Sequence, residues 1–228
     1  MFDHLICDCD GVLVDSEVIA DRVLLHALSA EFPSIDFNPV AHSAFGQRTS
    51  TFLADLESRF EIAIPDGFLA GVERGIEAEL KRSLAPIAGA RDALERVPLP
   101  AAVVSNSRLA RIAASLARAG LADVFGPRVF SAEQVARPKP HPDVYLHAAR
   151  ELGVAPERCL VIEDSVTGLS AARAAGMKTI AFVGASHVPK GYAQVLRNLG
   201  VTRIVERMEQ LPTLIAAGLR GEFGQLQS

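Results

Sequence analysis

The chain has 228 residues, enough for one large domain or for a core with a small insert. Apolar residues make up 49% and charged residues 22%, which argues against disordered, collagen-like and coiled-coil architectures. A net charge of −4, from 23 Lys and Arg against 27 Asp and Glu, leaves no basic excess for nucleic acid or an anionic membrane. The three cysteines, Cys7, Cys9 and Cys159, make neither a disulfide framework nor a Cys-x-x-Cys zinc pair, so a cytoplasmic location is expected. The N-terminus places carboxylates inside its only apolar stretch, unlike an export signal, and no apolar run approaches the ~20 residues of a membrane span.

Residues 5–7 form a short apolar run that ends in Asp8-Cys9-Asp10-Gly11, the pattern of a buried strand running out into a turn. Three helical patterns follow, over 17–30, 50–60 and 66–82, with no strand between them. Beyond them the rhythm changes. A strand over 101–104 ends at Ser105-Asn106-Ser107 and is followed by a helix over 109–119, then by another helix over 142–152. A strand over 159–162 ends at Glu163-Asp164-Ser165, a helix covers 166–175, and a strand over 179–183 ends at Gly184. Gly120, Gly153 and Gly176 stand where each of these helices should stop.

Strands alternating with helices predict an α/β fold, a doubly wound parallel sheet whose ligands gather beyond the carboxyl ends of the strands. The helical run is then a bundle inserted after the first strand. The expected division is a core of residues 1–15 and 86–228 and an insert of 16–85 that can act as a lid. Phe37, Phe45, Phe52, Phe60 and Phe68 are expected to fill the core of the insert, and Asp15 and Ser16 to support the hinge and cap the next helix. Gly168, Ala171, Ala172 and Ala175 give one helix a small-residue face suited to close packing on the sheet.

Alternation along a strand gathers Asp8 and Asp10 on one side and Cys7 and Cys9, expected as buried thiols, on the other. Two carboxylates so close resist ionising together unless a cation or shared proton relieves them, which points to a hard divalent metal, with Glu163 and Asp164 able to complete its shell. Taken alone, Asp-x-Asp reads more readily as a solvated turn, and it is the context that decides against this. Ser105 and Asn106 lie between a strand and a helix, where a hydroxyl and backbone N–H groups can meet a phosphate. Lys139 sits among alternating prolines, Pro138, Pro140 and Pro142, which fix the backbone and hold the ammonium in one direction, although an exposed loop lysine reads the same way. His42, His141 and His187 show no ligand-like spacing and are expected in surface or hydrogen-bonded roles.

Asp8-Cys9-Asp10-Gly11-Val12-Leu13-Val14-Asp15-Ser16-Glu17, Ser105-Asn106, Lys139-Pro140-His141-Pro142 and Glu163-Asp164-Ser165 together resemble the four ordered motifs of the haloacid dehalogenase (HAD) superfamily. The resemblance spans almost the whole chain. It is nearest to the branch with beta-phosphoglucomutase and the 6-phosphogluconate phosphatase type. It implies a Mg²⁺-dependent phosphatase of small phosphorylated sugars or sugar acids, with Asp8 as nucleophile, Asp10 as general acid and base, and Lys139 as charge partner. Ser105 and the Asn106 amide would hold phosphate. The metal would be bound by Asp8, the backbone carbonyl of Asp10, Asp164, and Glu163 directly or through water. Gly46-Gln47-Arg48-Thr49 resembles the specificity loop of the insert, making Arg48, with Gly46, the candidate substrate selector.

Beta-phosphoglucomutase-like enzymes carry a histidine shortly after the first motif, and Ala20 stands at that position here. Its absence favours transfer to water over transfer to a second sugar hydroxyl, leaving a phosphosugar mutase as the alternative. Metal-free dehalogenases lack the second aspartate of the first motif, which Asp10 supplies. A non-enzymatic phosphoacceptor module also uses carboxylates and a lysine around Mg²⁺, but has no helical insert and places its acceptor on a later strand.

Overall fold

The computed structural model describes residues 1–40 and 49–222. They form two compact units, Met1–Asp15 with Ala85–Ser228, and Ser16–Leu84. The first holds a six-stranded parallel sheet of β1 (His4–Cys7), β2 (Ala101–Ser105), β3 (Val129–Ser131), β4 (Cys159–Glu163), β5 (Lys178–Phe182) and β6 (Ile204–Val205), in the order β3-β2-β1-β4-β5-β6. The order reverses direction at β1, between β2 and β4, and that switch point is where a doubly wound sheet opens a crevice at its strand ends.

The second unit contains α1 (Glu17–Glu31), α2 (Thr49–Phe60) and α3 (Phe68–Ser83). Leu24, Leu28, Phe37, Val40, Phe52, Leu53, Leu56 and Val72 are buried together, with Phe60 and Phe68 packed against them. Phe37 meets Phe60 edge to face at 5.3 Å between ring centroids. Phe45 lies outside the described residues. Ser16 holds the N-cap position of α1 but its side chain makes no capping bond, because its backbone is already helical (φ −83°, ψ −31°) and capping needs an extended residue there.

In the sheet unit the chain continues through α4 (Ala90–Arg96), α5 (Leu109–Arg118), α6 (Ala122–Phe125), α7 (Asp143–Leu152), α8 (Val166–Ala174), α9 (Tyr192–Asn198) and α10 (Leu211–Leu219). All five residues of β2 and of β4 are buried, as expected of central parallel strands covered on both faces. Ala171, Ala172 and Ala175 of the helix following β4 pack with Val144, Tyr145 and Ala148 of α7 against Ile6, Val104 and Val161. The chain leaves this unit and rejoins it at one place. Asp15 N–H donates to the Ala85 carbonyl at 3.1 Å and Ile87 N–H to the Leu13 carbonyl at 3.0 Å. No helix among the described residues is long and apolar enough to cross a membrane.

Candidate active site

Asp8 is the first residue beyond β1, and its N–H still donates to the Ile162 carbonyl at 3.0 Å, so the neighbouring strand β4 fixes where the carboxylate emerges. The next residues fold back on themselves, with Leu13 and Val14 N–H both donating to the Cys9 carbonyl. Gly11 makes that turn possible. It has φ +76°, and a Cβ there would lie 2.0 Å from Asp164 Oδ2, so any side chain would displace Asp164.

Lys139 is buried, 3% exposed, and its ammonium is fully used. Nζ donates to Asp8 Oδ1 at 2.6 Å, to Glu163 Oε1 at 2.7 Å and to the Val104 carbonyl at 2.9 Å, and it lies 4.9 Å from the centroid of the Tyr145 ring. Its backbone is held by Asn106: Lys139 N–H donates to Asn106 Oδ1 at 3.0 Å and Asn106 Nδ2 donates to the Lys139 carbonyl at 3.3 Å. The Asn106 side chain therefore places the lysine through both its amide oxygen and its amide nitrogen.

Glu163 is the last residue of β4, and both its oxygens are engaged. Oε1 accepts from Lys139 and from the Tyr145 hydroxyl at 3.2 Å, and Oε2 accepts from the N–H and hydroxyl of Ser165 at 3.1 and 3.0 Å. Ser165 in turn caps α8 by accepting from Gly168 N–H at 3.0 Å. A Cβ at Gly168 would come within 1.7 Å of Glu163 Oε1, so this glycine makes room for the carboxylate, more than for the sheet. Asp164 is buried beside it, 3.3 Å from Nε2 of His187, whose side chain is 7% exposed.

Oxygens of Asp8, Glu163 and Asp164 lie within 4.8 Å of one another. Three buried carboxylates face one buried ammonium, with the His187 imidazole beside Asp164, and hard oxygen ligands in this excess could hold a divalent metal ion. Burial pushes the Asp8 carboxyl well above its ordinary range; Lys139 pulls it back, while Glu163, Asp164 and Asp10 push it further up. Burial, and then Glu163, do the same to Asp164. Burial disfavours charge on Lys139, yet Asp8 and Glu163 outweigh it and hold its pKa well above that of a free lysine. Burial also keeps the Cys7 and Cys9 thiols protonated, the inert state expected of them.

Asp10 shares the strand end with Asp8 but not its partners. Its Oδ2 accepts from the Ser107 hydroxyl at 2.7 Å and lies 3.4 Å from that of Ser105, and Arg111 approaches Oδ1 at 3.6 Å. Asp8, Asp10, Ser105, Asn106, Lys139, Glu163 and Asp164 all fall in one cluster. Gly46 and Arg48 lie outside the described residues, as does His42. Ser107, Arg111 and Tyr145 join the site with no role assigned to them by the sequence, and His187, expected in a surface or hydrogen-bonded role, faces Asp164. His187 had a usable signal, since it lies in the loop following β5, where the other strands place their polar groups; His141, by contrast, is exposed.

The model of the haloacid dehalogenase-like hydrolases matches residues 2–176, and a second, HAD-hydrolase-like model matches 136–217. The chain belongs to this family. It is 30% identical over 185 residues to the 6-phosphogluconate phosphatase of Escherichia coli K12, covering 79% of this chain and 82% of that one. It is 32% identical over 218 residues to hexitol phosphatase B of Escherichia coli O157:H7, covering 88% and 92%. A HAD family hydrolase from Deinococcus radiodurans R1, crystallised with bound phosphate and sodium, superposes with a TM-score of 0.79 at 36% identity, over 99% of this chain and 98% of that one.

Proposed function

We propose that the protein is a Mg²⁺-dependent phosphatase of small phosphorylated sugars or sugar acids that works through an aspartyl-phosphate on Asp8. The observation that carries this reading is the bond from Lys139 Nζ to Asp8 Oδ1 at 2.6 Å inside a buried cluster of carboxylates. An ammonium at that oxygen masks charge where a carboxylate must approach an anionic phosphoryl group. The similarity to two enzymes named as sugar-type phosphatases supports the substrate class.

In the first step an Asp8 oxygen bonds to phosphorus as the ester P–O bond breaks, and the proton on Asp10 passes to the departing alkoxide. In the second, Asp10 takes a proton from water as the water oxygen bonds to phosphorus, releasing inorganic phosphate and restoring the Asp8 carboxylate. Ser105 and the backbone N–H of Asn106 are assigned to the phosphate oxygens. Asp8, the Asp10 carbonyl and Asp164 would hold Mg²⁺, with Glu163 reaching it through water while it grips Lys139. Mg²⁺ supplies charge neutralisation for the phosphoryl oxygens. Substrate choice is assigned to the inserted unit, with Arg48 and Gly46 as candidates, and the enzyme to the cytoplasm.

The test is phosphate release from a panel of phosphorylated sugars, sugar acids and nucleotides, with Mg²⁺ and with chelator. Wild type is compared with Asp8→Asn and Arg48→Ala. Release should need Mg²⁺, fall about 10³-fold or more in Asp8→Asn, and weaken in Arg48→Ala for some substrates and not others. Undiminished turnover by Asp8→Asn would end the nucleophile assignment.

A further inference from the structure

We infer that Arg111, together with Ser107, is a positioning residue that holds the Asp10 carboxylate ready for proton transfer. The inference rests on the phosphatase reading, which requires Asp10 to give a proton and later take one. Neither step tolerates a carboxylate free to sample several rotamers, because misplacement by about 1 Å can cost ~100-fold in rate.

Both Asp10 oxygens face groups that do not touch Asp8. Ser107 Oγ donates to Oδ2 at 2.7 Å, with Ser105 Oγ 3.4 Å from the same atom, and the Arg111 guanidinium stands 3.6 Å from Oδ1. The grip is itself supported. Ser107 N–H donates to Ser105 Oγ at 3.0 Å, and the buried Ser131 hydroxyl at the end of β3 donates to the Ser107 carbonyl at 2.7 Å. Arg111 sits in the first turn of α5, whose leading N–H, that of Leu109, is held by Glu133 at 2.9 Å.

The Arg111 side chain is only 24% exposed, and its Nε is buried with no hydrogen-bond partner among the described residues. The charge faces Asp10. An arginine held against a carboxylate, with a serine on the other oxygen, leaves the acid one orientation before substrate arrives. All of these groups belong to the sheet unit, so the restraint comes from the same compact body as Asp10.

The distinguishing measurement is kcat/KM for two esters on each protein preparation: the best alkyl phosphate of the panel above, and para-nitrophenyl phosphate. An alkoxide must be protonated as it leaves, whereas para-nitrophenolate departs unprotonated. Arg111→Met should lower kcat/KM for the alkyl ester about tenfold more than for the aryl ester. Arg111→Lys should recover much of the difference, and Ser107→Ala should move the ratio the same way. The ratio cancels any loss of folded protein. Equal losses on both esters would mark Arg111 as structural, a rise in KM alone would make it a substrate anchor, and no change would leave it idle; each overturns the inference. If wild type hydrolyses neither ester, the phosphatase reading fails first and the inference falls with it.

Discussion

The two units of this chain bury opposite kinds of chemistry. In the sheet unit the core is interrupted by Asp8, Lys139, Glu163 and Asp164, all almost fully enclosed, whereas the inserted helices bury Leu28, Phe37, Phe52 and Leu56 and hold their charges at the surface. The contrast follows from backbone geometry. Parallel strands ending side by side bring carboxylates, an ammonium and backbone donors from distant sequence positions within hydrogen-bond reach, so that each buried charge finds partners. A small bundle offers its interior only side chains from helix faces, and Leu and Phe fill it without partners. Chemistry therefore constrains the buried charges of the first unit one by one, while the core of the second needs only to keep its apolar volume.

The largest effect that would test this contrast is on Lys139. Lys139→Met keeps an unbranched side chain about as long as the lysine's four-carbon stem but leaves Asp8 and Glu163 enclosed without their cation. Breaking a buried pair from one side typically costs about 3–5 kcal/mol. Chemical denaturation should show a loss of that order, together with loss of phosphate release. A variant as stable as wild type would mean that the cluster contributes nothing to the fold, and the two units would not differ in the way described.

The same geometry explains what the sequence discloses. β1, β2, β4 and β5 are legible because continuous apolar runs ending in polar residues mark central parallel strands, and the residues closing them, Asp8, Ser105 and Glu163, are those that meet in space. β3 and β6, three and two residues long, and α4, α6 and α9, seven, four and seven, are too short for a period to register, whereas α10, LPTLIAAGL, is apolar almost throughout and shows no polar face. Tyr145 on α7 and Arg111 on α5 carry no signal in the sequence, because their contacts with Glu163 and Asp10 join separate elements and depend on how those elements pack. Gly168 reads as part of a small-residue packing face, and the clash that a Cβ there would make with Glu163 is visible only in three dimensions.

An intermediate effect is expected from Leu56→Ala in the inserted unit. Leu56 is fully enclosed, and truncating such a side chain costs about 2–5 kcal/mol through lost transfer energy and the cavity left behind. The comparison is sharpened if the melting temperature falls while Mg²⁺-dependent turnover per folded molecule stays as in wild type. A proportionate loss of turnover in the folded fraction would show that the bundle core is coupled to the chemistry.

The smallest effect should come from the charges that the bundle keeps at its surface. Arg22 on α1 donates to Glu79 Oε1 on α3 at 2.9 Å, but Glu79 is also held by Arg82 and by the Ser83 hydroxyl. Ser83 and then Arg82 lower the Glu79 pKa, and Arg22 adds the least of the charges acting on it. A carboxyl with a depressed folded-state pKa stabilises the fold above its unfolded pKa and loses that contribution as pH falls through the folded value. Arg22→Ala removes the weakest of several partners at an exposed site, so its thermal melt at neutral pH should nearly overlay that of wild type. Whatever difference exists should vanish in acid and at high salt. A large loss at neutral pH would mean that α1 and α3 are joined by this ion pair, and that the apolar core is not what holds the bundle together.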